Sequence, residues 1–272
     1  MSNSAEKGRA RERSALLALF DEQVRQGDHL GENGVPIETV APVTRVYYPE
    51  RGFIAAPSDT GLRGAELDGL IAREVAAFEA RGEAVEWKSY GYDEPRDLTA
   101  RLMAAGFEPE EQETLLVGTS DDLSGLPTEV DGIAIRETSD DADLAAIGRL
   151  HTEVWGEDWT WIADDLRRRL DYLGPDGIRV LVAEDGDRMV SAAWLVIRPG
   201  SQFAGLWGGS TLESHRGHGI YRALVARRAA IARDRGIRYL QVDASPNSRP
   251  ILERLGFVAL TTTTPYVWMP RH

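Results

Sequence analysis

Apolar and polar positions in the second half of the 272-residue chain follow helix and strand periods in turn. Apolar residues recur at helical spacing over 144–154, and "WIADDLRRRLDYL" (161–173) continues the pattern, so both segments are predicted helices. The runs "IRVLVAED" and "MVSAAWLVIR" predict strands joined by a turn around Gly186. From residue 132 onward the predicted order is β-α-α-β-β-β-α-β-α-β, which indicates a mixed α/β sheet domain.

The first half carries a partial copy of this pattern. "LDGLIAREVAAFEARGEAVEW" resembles "YRALVARRAAIARDRGIRYLQV" in its helix, its glycine stop and its following strand, and "LMAAGF" resembles "LERLGF". We therefore predict two tandem domains, over residues 1–125 and 132–272. The polar segment "DDLSGLPTEVDG" (121–132) has no helix or strand period and is a predicted linker.

Composition narrows the classes of partner and chemistry. The formal net charge is -13, whereas binding to nucleic acid or to an anionic membrane needs clustered positive surface, so we expect neither partner. The chain has no cysteine, which excludes disulfides, thiolate nucleophiles and cysteine-bound zinc. His215 and His218 have no companion ligands in the sequence, so no metal site is predicted.

The N-terminal segment "MSNSAEKGRARERSALLALF" has no cleavable apolar core. No run approaches the ~18 apolar residues that span a bilayer. We therefore expect a cytoplasmic protein.

The segment "TLESHRGHGIYRALV" (211–225) places a glycine-rich loop at the start of an amphipathic helix. Gly217 and Gly219 free the backbone to turn its N–H groups toward a ligand, and the helix dipole adds partial positive charge. The loop is therefore a predicted phosphate site, with Arg216 or His218 at its rim. A dinucleotide site needs a third glycine, which is missing here. In the first half "TGLRGAELDGL" has no Gly-x-Gly, so that copy is expected to be degenerate.

The order Arg-Gly-His-Gly-Ile-Tyr at 216–221 resembles the acyl-CoA loop of the GNAT superfamily of N-acyltransferases. The family pattern is Arg/Gln-x-x-Gly-x-Gly/Ala, which Arg216 and Gly219 match, whereas Tyr221 stands in the last place. The element order and the late "LERLGF" are similar to the family as well. The resemblance implies tandem GNAT-like domains and acetyl-CoA as the acyl donor. It implies these cofactor-binding residues: Ser210, Thr211, Leu212, Arg216, Gly217, His218, Gly219, Ile220, Tyr221 and Asn247.

The resemblance also implies direct attack of a neutral amine on the thioester, with the oxyanion held by a backbone N–H of the strand before the loop. No covalent enzyme intermediate is needed. Many GNAT enzymes supply the acid for the leaving thiolate from a tyrosine whose place is taken here by Leu252. The proton would then come from water or from one of these hydroxyl groups: Tyr221, Tyr239, Tyr266 or Ser248.

The segment "VWGEDWTWIADD" (154–165) collects tryptophans and acids where the family borders its acceptor pocket. Trp155, Trp159 and Trp161 would form aromatic walls, and the candidate bases are Glu157 and Asp158. Alternatively, the tryptophans belong to the core and the acids are solvated or cap a helix. Asp243, at the end of its strand, is a further candidate base, with a helix-cap role as its alternative.

These observations predict an acetyl-CoA-dependent N-acetyltransferase that acts on a small-molecule amine. The alternative is a non-catalytic protein that binds acyl-CoA or another ligand on a duplicated GNAT fold. Tyr221 and Leu252 favour the alternative, because both depart from the family pattern. The sequence carries no signal for the acyl-chain length or the oligomeric state.

Overall fold

A computed structural model describes residues 2–25, 34–198 and 200–270 of the chain. These residues form a sheet of twelve strands with helices on both faces. The helices are α1 (Ser2–Phe20), α2 (Gly64–Glu79), α3 (Leu98–Ala104), α4 (Ser120–Ser124), α5 (Asp141–Trp155), α6 (Ile162–Gly177), α7 (Ile220–Asp234) and α8 (Arg249–Leu255). The strands are β1 (Ile37–Val40), β2 (Val43–Val46), β3 (Gly52–Ala55), β4 (Val85–Tyr90), β5 (Glu108–Pro109), β6 (Glu113–Thr119), β7 (Ile133–Thr138), β8 (Ile178–Asp185), β9 (Arg188–Ile197), β10 (Phe203–Thr211), β11 (Tyr239–Ala244) and β12 (Val258–Trp268).

The element order predicted for the second half is confirmed, from β7 through α5 and α6 to β12. The prediction that residues 121–132 form a linker without helix or strand was wrong in part. Residues Ser120–Ser124 form α4, because the Thr119 hydroxyl accepts a hydrogen bond from the N–H of Asp122 and so caps the helix. Among the described helices none is long and apolar enough to cross a bilayer.

The two halves of the chain exchange their last strands. The sheet runs β1-β2-β3-β4-β12-β6-β11-β10-β9-β8-β7. Thus β6, from the first half, pairs with every residue of β11 in the second half. In turn β12, from the second half, lies between β6 and β4. The halves therefore share one continuous sheet instead of forming two separate ones.

The exchanged strands cross the boundary between the two predicted domains, 1–125 and 132–272. These domain ranges remain a prediction. Each range contains one strand that completes the sheet of the other range, namely β6 and β12. In each half a parallel pair precedes the exchanged strand: β3 with β4, and β10 with β11. The repeated order supports the duplication that the sequence indicates.

Strand alternation assigns side chains to two faces of the sheet. Leu195 and Leu206 pack with α7 on one face. On the other face Trp194 lies against His151 of α5, and Phe203 packs edge-on against Phe20 at the end of α1. We call the second the α1/α5 face. Burying one such leucine or phenylalanine contributes roughly 1.5–3 kcal/mol, so both layers hold the sheet firmly.

Candidate functional site

A wedge opens between two parallel strands of the second half. Strands β10 and β11 pair only over Phe203–Gly205 and Tyr239–Gln241. Beyond these residues β10 continues along β9, whereas β11 continues along β6. The facing edges of the two strands are therefore unpaired toward their carboxyl ends, and an extended polar ligand can bind them.

A backbone irregularity in β10 lies beside this wedge. The register with β9 shifts between Trp207 and Ser210, so Gly208 and Gly209 form a bulge. A Cβ on Gly208 would stand 1.8 Å from the Trp194 ring, and Gly208 has a φ of 63°. A Cβ on Gly209 would stand 2.7 Å from the Tyr221 ring. Both positions therefore require glycine.

A buried arginine lies beneath the bulge. Arg228 of α7 is 1% exposed, and its Nη1 donates to the carbonyl oxygens of Trp194 at 3.2 Å and Trp207 at 3.3 Å. Its Nε donates to the carbonyl oxygen of Leu224. Burial lowers the pKa of Arg228 to about 10, which still leaves a cation at pH 7. Arg228 was not singled out by the sequence analysis. Its place within the apolar stripe of a helix was nevertheless a sign that this arginine is buried.

The predicted phosphate loop has the geometry of an anion site. Gly217 and Gly219 have φ angles of 82° and 88°, and Gly219 is the N-cap of α7. Within the described structure, no backbone N–H from Gly217 to Arg222 donates a hydrogen bond, and no side chain caps the helix. These free donors point from the positive end of a 15-residue helix.

The side chains of the loop divide into two groups. Arg216 donates from Nε to the carbonyl oxygen of Thr211 at 3.1 Å, so it braces the loop. His218 is exposed, and Arg222 is exposed with its guanidinium 3.1 Å from the position of a Cβ on Gly219. Arg222 has no ion pair among the described residues. It is a candidate phosphate contact that the sequence analysis missed, although it lies only three residues after Gly219.

The other predicted cofactor residues divide between the core and the end of β10. Ile220 and Leu212 are buried in the core, and Tyr221 lies under the bulge, where burial raises its pKa. The hydroxyl of Ser210 accepts a hydrogen bond from Trp155 Nε1 at 2.9 Å. The hydroxyl of Thr211 lies 2.8 Å from that of Ser191 on β9.

The residues after β11 bear on the cofactor and on the leaving group. Asn247 is exposed in the turn beyond β11, across the wedge from the loop. Leu252 is fully buried in the core beneath α8, so no acid acts from that position. Tyr266 belongs to the core of the first half, and the Tyr239 ring packs against Phe203.

The tryptophan-rich segment after α5 separates into core and surface. Trp159 packs on the core beside His151, with ring centroids 6.0 Å apart. Trp155 is 55% exposed at the edge of the wedge. Glu157 is exposed, whereas Asp158 accepts hydrogen bonds from the backbone and hydroxyl of Thr160, which lower its pKa. Asp158 therefore stabilises a local turn ahead of α6 and does not cap that helix, and its role as a base stays a prediction.

Asp243 belongs to an ion cluster on the α1/α5 face and has no helix-cap role. Its carboxylate accepts from Lys88 Nζ at 2.8 Å and from the Thr263 hydroxyl at 3.2 Å. Lys88 also lies 3.7 Å from Glu113. Burial by itself lowers the pKa of Lys88, but Asp243 and the surrounding acidic groups raise it above the usual value. Lys88 and Glu113 belong to the first half, and no pattern in the sequence predicts their proximity to Asp243.

In the first half, the loop that corresponds to the predicted phosphate loop uses its donors to bind a carboxylate of the same loop. Asp59 accepts a hydrogen bond from the N–H of Gly61 at 2.8 Å and two from the guanidinium of Arg63, also at 2.8 Å. The hydrogen bonds from Arg63 are the main cause that lowers the pKa of Asp59 to about 2. The N-cap of α2 is Arg63 and not a glycine. The carboxylate of Asp59 therefore takes the N–H and guanidinium donors that a phosphate would need in this loop.

Comparison with known proteins agrees with this geometry. The model of the acetyltransferase (GNAT) family matches residues 144–257, from α5 to just beyond α8. A search of curated proteins finds no match.

Solved structures share the fold across both halves. A GCN5-related N-acetyltransferase from Kribbella flavida is 17% identical, with 97% of this chain and 96% of that chain covered and a TM-score of 0.67. A functionally unknown conserved protein from Staphylococcus epidermidis is 14% identical, with 87% and 95% covered and a TM-score of 0.65. A tandem GNAT protein from the clavulanic acid biosynthesis pathway is 14% identical, with 85% and 79% covered and a TM-score of 0.61. At these identities the likeness concerns the fold.

Proposed function

Because the chain belongs to the GNAT superfamily in its tandem form, we propose that it transfers the acetyl group of acetyl-CoA to the amine of a small molecule. The observation that carries the proposal is the wedge between β10 and β11 with the free N-terminus of α7 beside it. The wedge offers unpaired backbone to an extended pantetheine arm, and the loop offers N–H donors to a pyrophosphate.

The residues of the loop fit coenzyme A. The free N–H groups from Gly217 to Arg222 would hold the pyrophosphate, with His218 and Arg222 at its rim. When bound, acetyl-CoA supplies an activated acyl group in its thioester. In the first half the Asp59 carboxylate occupies the equivalent loop, so we propose one acetyl-CoA site per chain.

The bulge in β10 is suited to stabilise negative charge on the acyl oxygen. Backbone N–H groups at such an irregularity leave the strand ladder and are free to face a ligand. Arg228 adds a fixed cation beneath the bulge, in a site of low dielectric where its field is weakly screened. We therefore assign the bulge, with Arg228 behind it, as the centre at which the acyl group is activated.

A binding protein without turnover is the second candidate, because Leu252 is buried where the family places its acid. Amine-dependent release of free thiol separates the two functions. The chain has no cysteine, so a thiol reagent reports only coenzyme A. We expect release from acetyl-CoA with at least one amine from a panel of primary amines. Tight acetyl-CoA binding without release for any amine would favour the binding protein.

A further inference from the structure

Strand exchange places one acidic side chain of the first half, Glu113, next to the strand that borders the wedge. Glu113 on β6 and Asp243 on β11 both lie on the α1/α5 face, and both contact Lys88 of β4. The parallel register ends at Gly205 opposite Gln241. Two residues further along, Trp207 of β10 and Asp243 of β11 flank the point where the wedge opens. The charged cluster therefore adjoins the proposed acyl site.

The two carboxylates of this cluster differ in the number and closeness of their polar partners. Asp243 has two close partners, Lys88 at 2.8 Å and Thr263 at 3.2 Å. Among the residues that the structure describes, the carboxylate of Glu113 has a polar contact only with Lys88, at 3.7 Å, and the side chain is 28% exposed. Asp243 is fixed by its partners, whereas Glu113 keeps oxygen atoms available to a ligand.

Gln241 of β11 supplies a second polar group on this face. Gln241 is 7% exposed, and its side-chain amide makes no hydrogen bond to any residue that the structure describes. Its Nε2 lies 3.0 Å from the position of a Cβ on Gly205, which the Trp207 indole also approaches. Its amide is therefore positioned to hydrogen-bond a ligand that enters the wedge. Trp207 is 43% exposed and forms an aromatic wall beside it.

We propose that the acceptor is a small primary amine that binds as its ammonium ion to Glu113, with Gln241 and Trp207 contacting its body, and that Glu113 is the general base. This inference rests on the proposed function. The Glu113 carboxylate takes one proton from the ammonium ion. The freed nitrogen lone pair forms the C–N bond to the acyl carbon as the C–S bond breaks, and a second proton of the nitrogen passes to the sulfur. The products are an amide, a thiol and the proton on Glu113.

The electrostatic surroundings of Glu113 suit this role. Burial, as the largest effect, raises its pKa to about 7, although Lys88 acts in the opposite direction. Asp243 and Glu86, the other charged groups that act on it, raise the pKa further. A base whose pKa lies near the working pH accepts a proton and releases it readily.

The test compares Glu113→Gln with Glu111→Gln, which makes the same change at an exposed position two residues away. The panel runs from n-butylamine and ethanolamine to glucosamine, with acetyl-CoA as donor. At pH 7 we expect Glu113→Gln to lower kcat/KM for the best amine about 100-fold and Glu111→Gln to leave it unchanged. Acetyl-CoA affinity should stay the same in both variants.

The pH dependence separates a base from a structural role. Alkyl amines lose their proton near pH 10, so at high pH the amine arrives without the proton that Glu113 removes. The ratio of wild-type to Glu113→Gln activity should therefore fall as pH rises from 7 to 10. A constant ratio would overturn the inference. Glu113→Asp, which keeps the charge, should retain the pH limb near 7 with a lower rate.

Failure of the inference and failure of the proposed function give different results. Equal activity of the wild-type protein and Glu113→Gln would overturn the role of Glu113 and leave the acetyltransferase intact. No amine-dependent thiol release from the wild-type protein would overturn both.

Discussion

A buried histidine of α5, His151, makes the stability of the fold depend on pH. It lies beside the bulge on the α1/α5 face, opposite to the face of Arg228. His151 is 3% exposed, and its Nε2 has no partner among the described residues. Burial lowers its pKa from 6.5 to about 4, although a hydrogen bond with the backbone of Gly208 acts in the opposite direction. The imidazole is therefore neutral at pH 7, and protonating it in place is unfavourable.

The magnitude follows from the two pKa values. Between pH 6.5 and pH 4 the unfolded chain binds a proton at His151 that the folded chain resists, so stability falls as pH falls. The contribution is complete above pH 6.5. The difference between 6.5 and about 4, at about 1.36 kcal/mol per pKa unit, sets a limit of about 3 kcal/mol. At pH 4.5 the loss should be about 2.5 kcal/mol.

Urea melts at pH 7.5 and pH 4.5 measure this loss. The variant His151→Asn removes the titrating group and keeps an amide donor near the position of Nδ1. His218→Asn is the control, because His218 is exposed. The wild-type protein and the control should lose about 2.5 kcal/mol more than His151→Asn over this range. Acid titration of the carboxylates is common to all three proteins and cancels. Equal losses would refute the assignment of His151 as a buried neutral base.

Three further predictions concern the loop, the tryptophans and the shared sheet. Gly219→Val should weaken acetyl-CoA binding at least tenfold by calorimetry, about 1.4 kcal/mol, because its φ is 88° and valine blocks the phosphate. Trp159→Ala should lower the free energy of unfolding by ~3–5 kcal/mol, whereas Trp155→Ala should mainly raise the KM for the amine. A shortened chain that begins at Asp131 lacks β6, so circular dichroism should show it unfolded.

Local chemistry was predictable from the sequence. The apolar periods specify the order of the second half because helix and strand periods depend on neighbouring residues. The turn at the phosphate loop was predictable from its glycines. Gly217 and Gly219 adopt positive φ angles that other residues avoid. The absence of a Gly-x-Gly in the first half predicts a degenerate loop, and this stays a prediction; the structure shows the Asp59 carboxylate accepting from the N–H of Gly61 there.

Contacts between distant segments were not predictable in the same way. Lys88 and Asp243 are 155 positions apart and meet only because the halves exchange strands. Either half could in principle pair its last strand with its own sheet, since the duplicated patterns have the same period. Arg228 and His151 likewise lie in apolar stripes, where their burial depends on the bulge that they support.

Strand exchange gives the first half of the chain a structural role in the site of the second half, which its loop without Gly-x-Gly does not indicate. In that half the Asp59 carboxylate already accepts from the N–H of Gly61 and the guanidinium of Arg63, and we propose no acyl-CoA site there. Because β6 lies against the whole of β11, however, its first residue Glu113 lies one strand away from the open end of the wedge of the second copy. The first copy can therefore change residues such as Glu113 without disturbing the phosphate loop or the bulge. In the proposed site the second half holds the donor, whereas the first half supplies the carboxylate of Glu113 to an acceptor that Gln241 and Trp207 of the second half also contact.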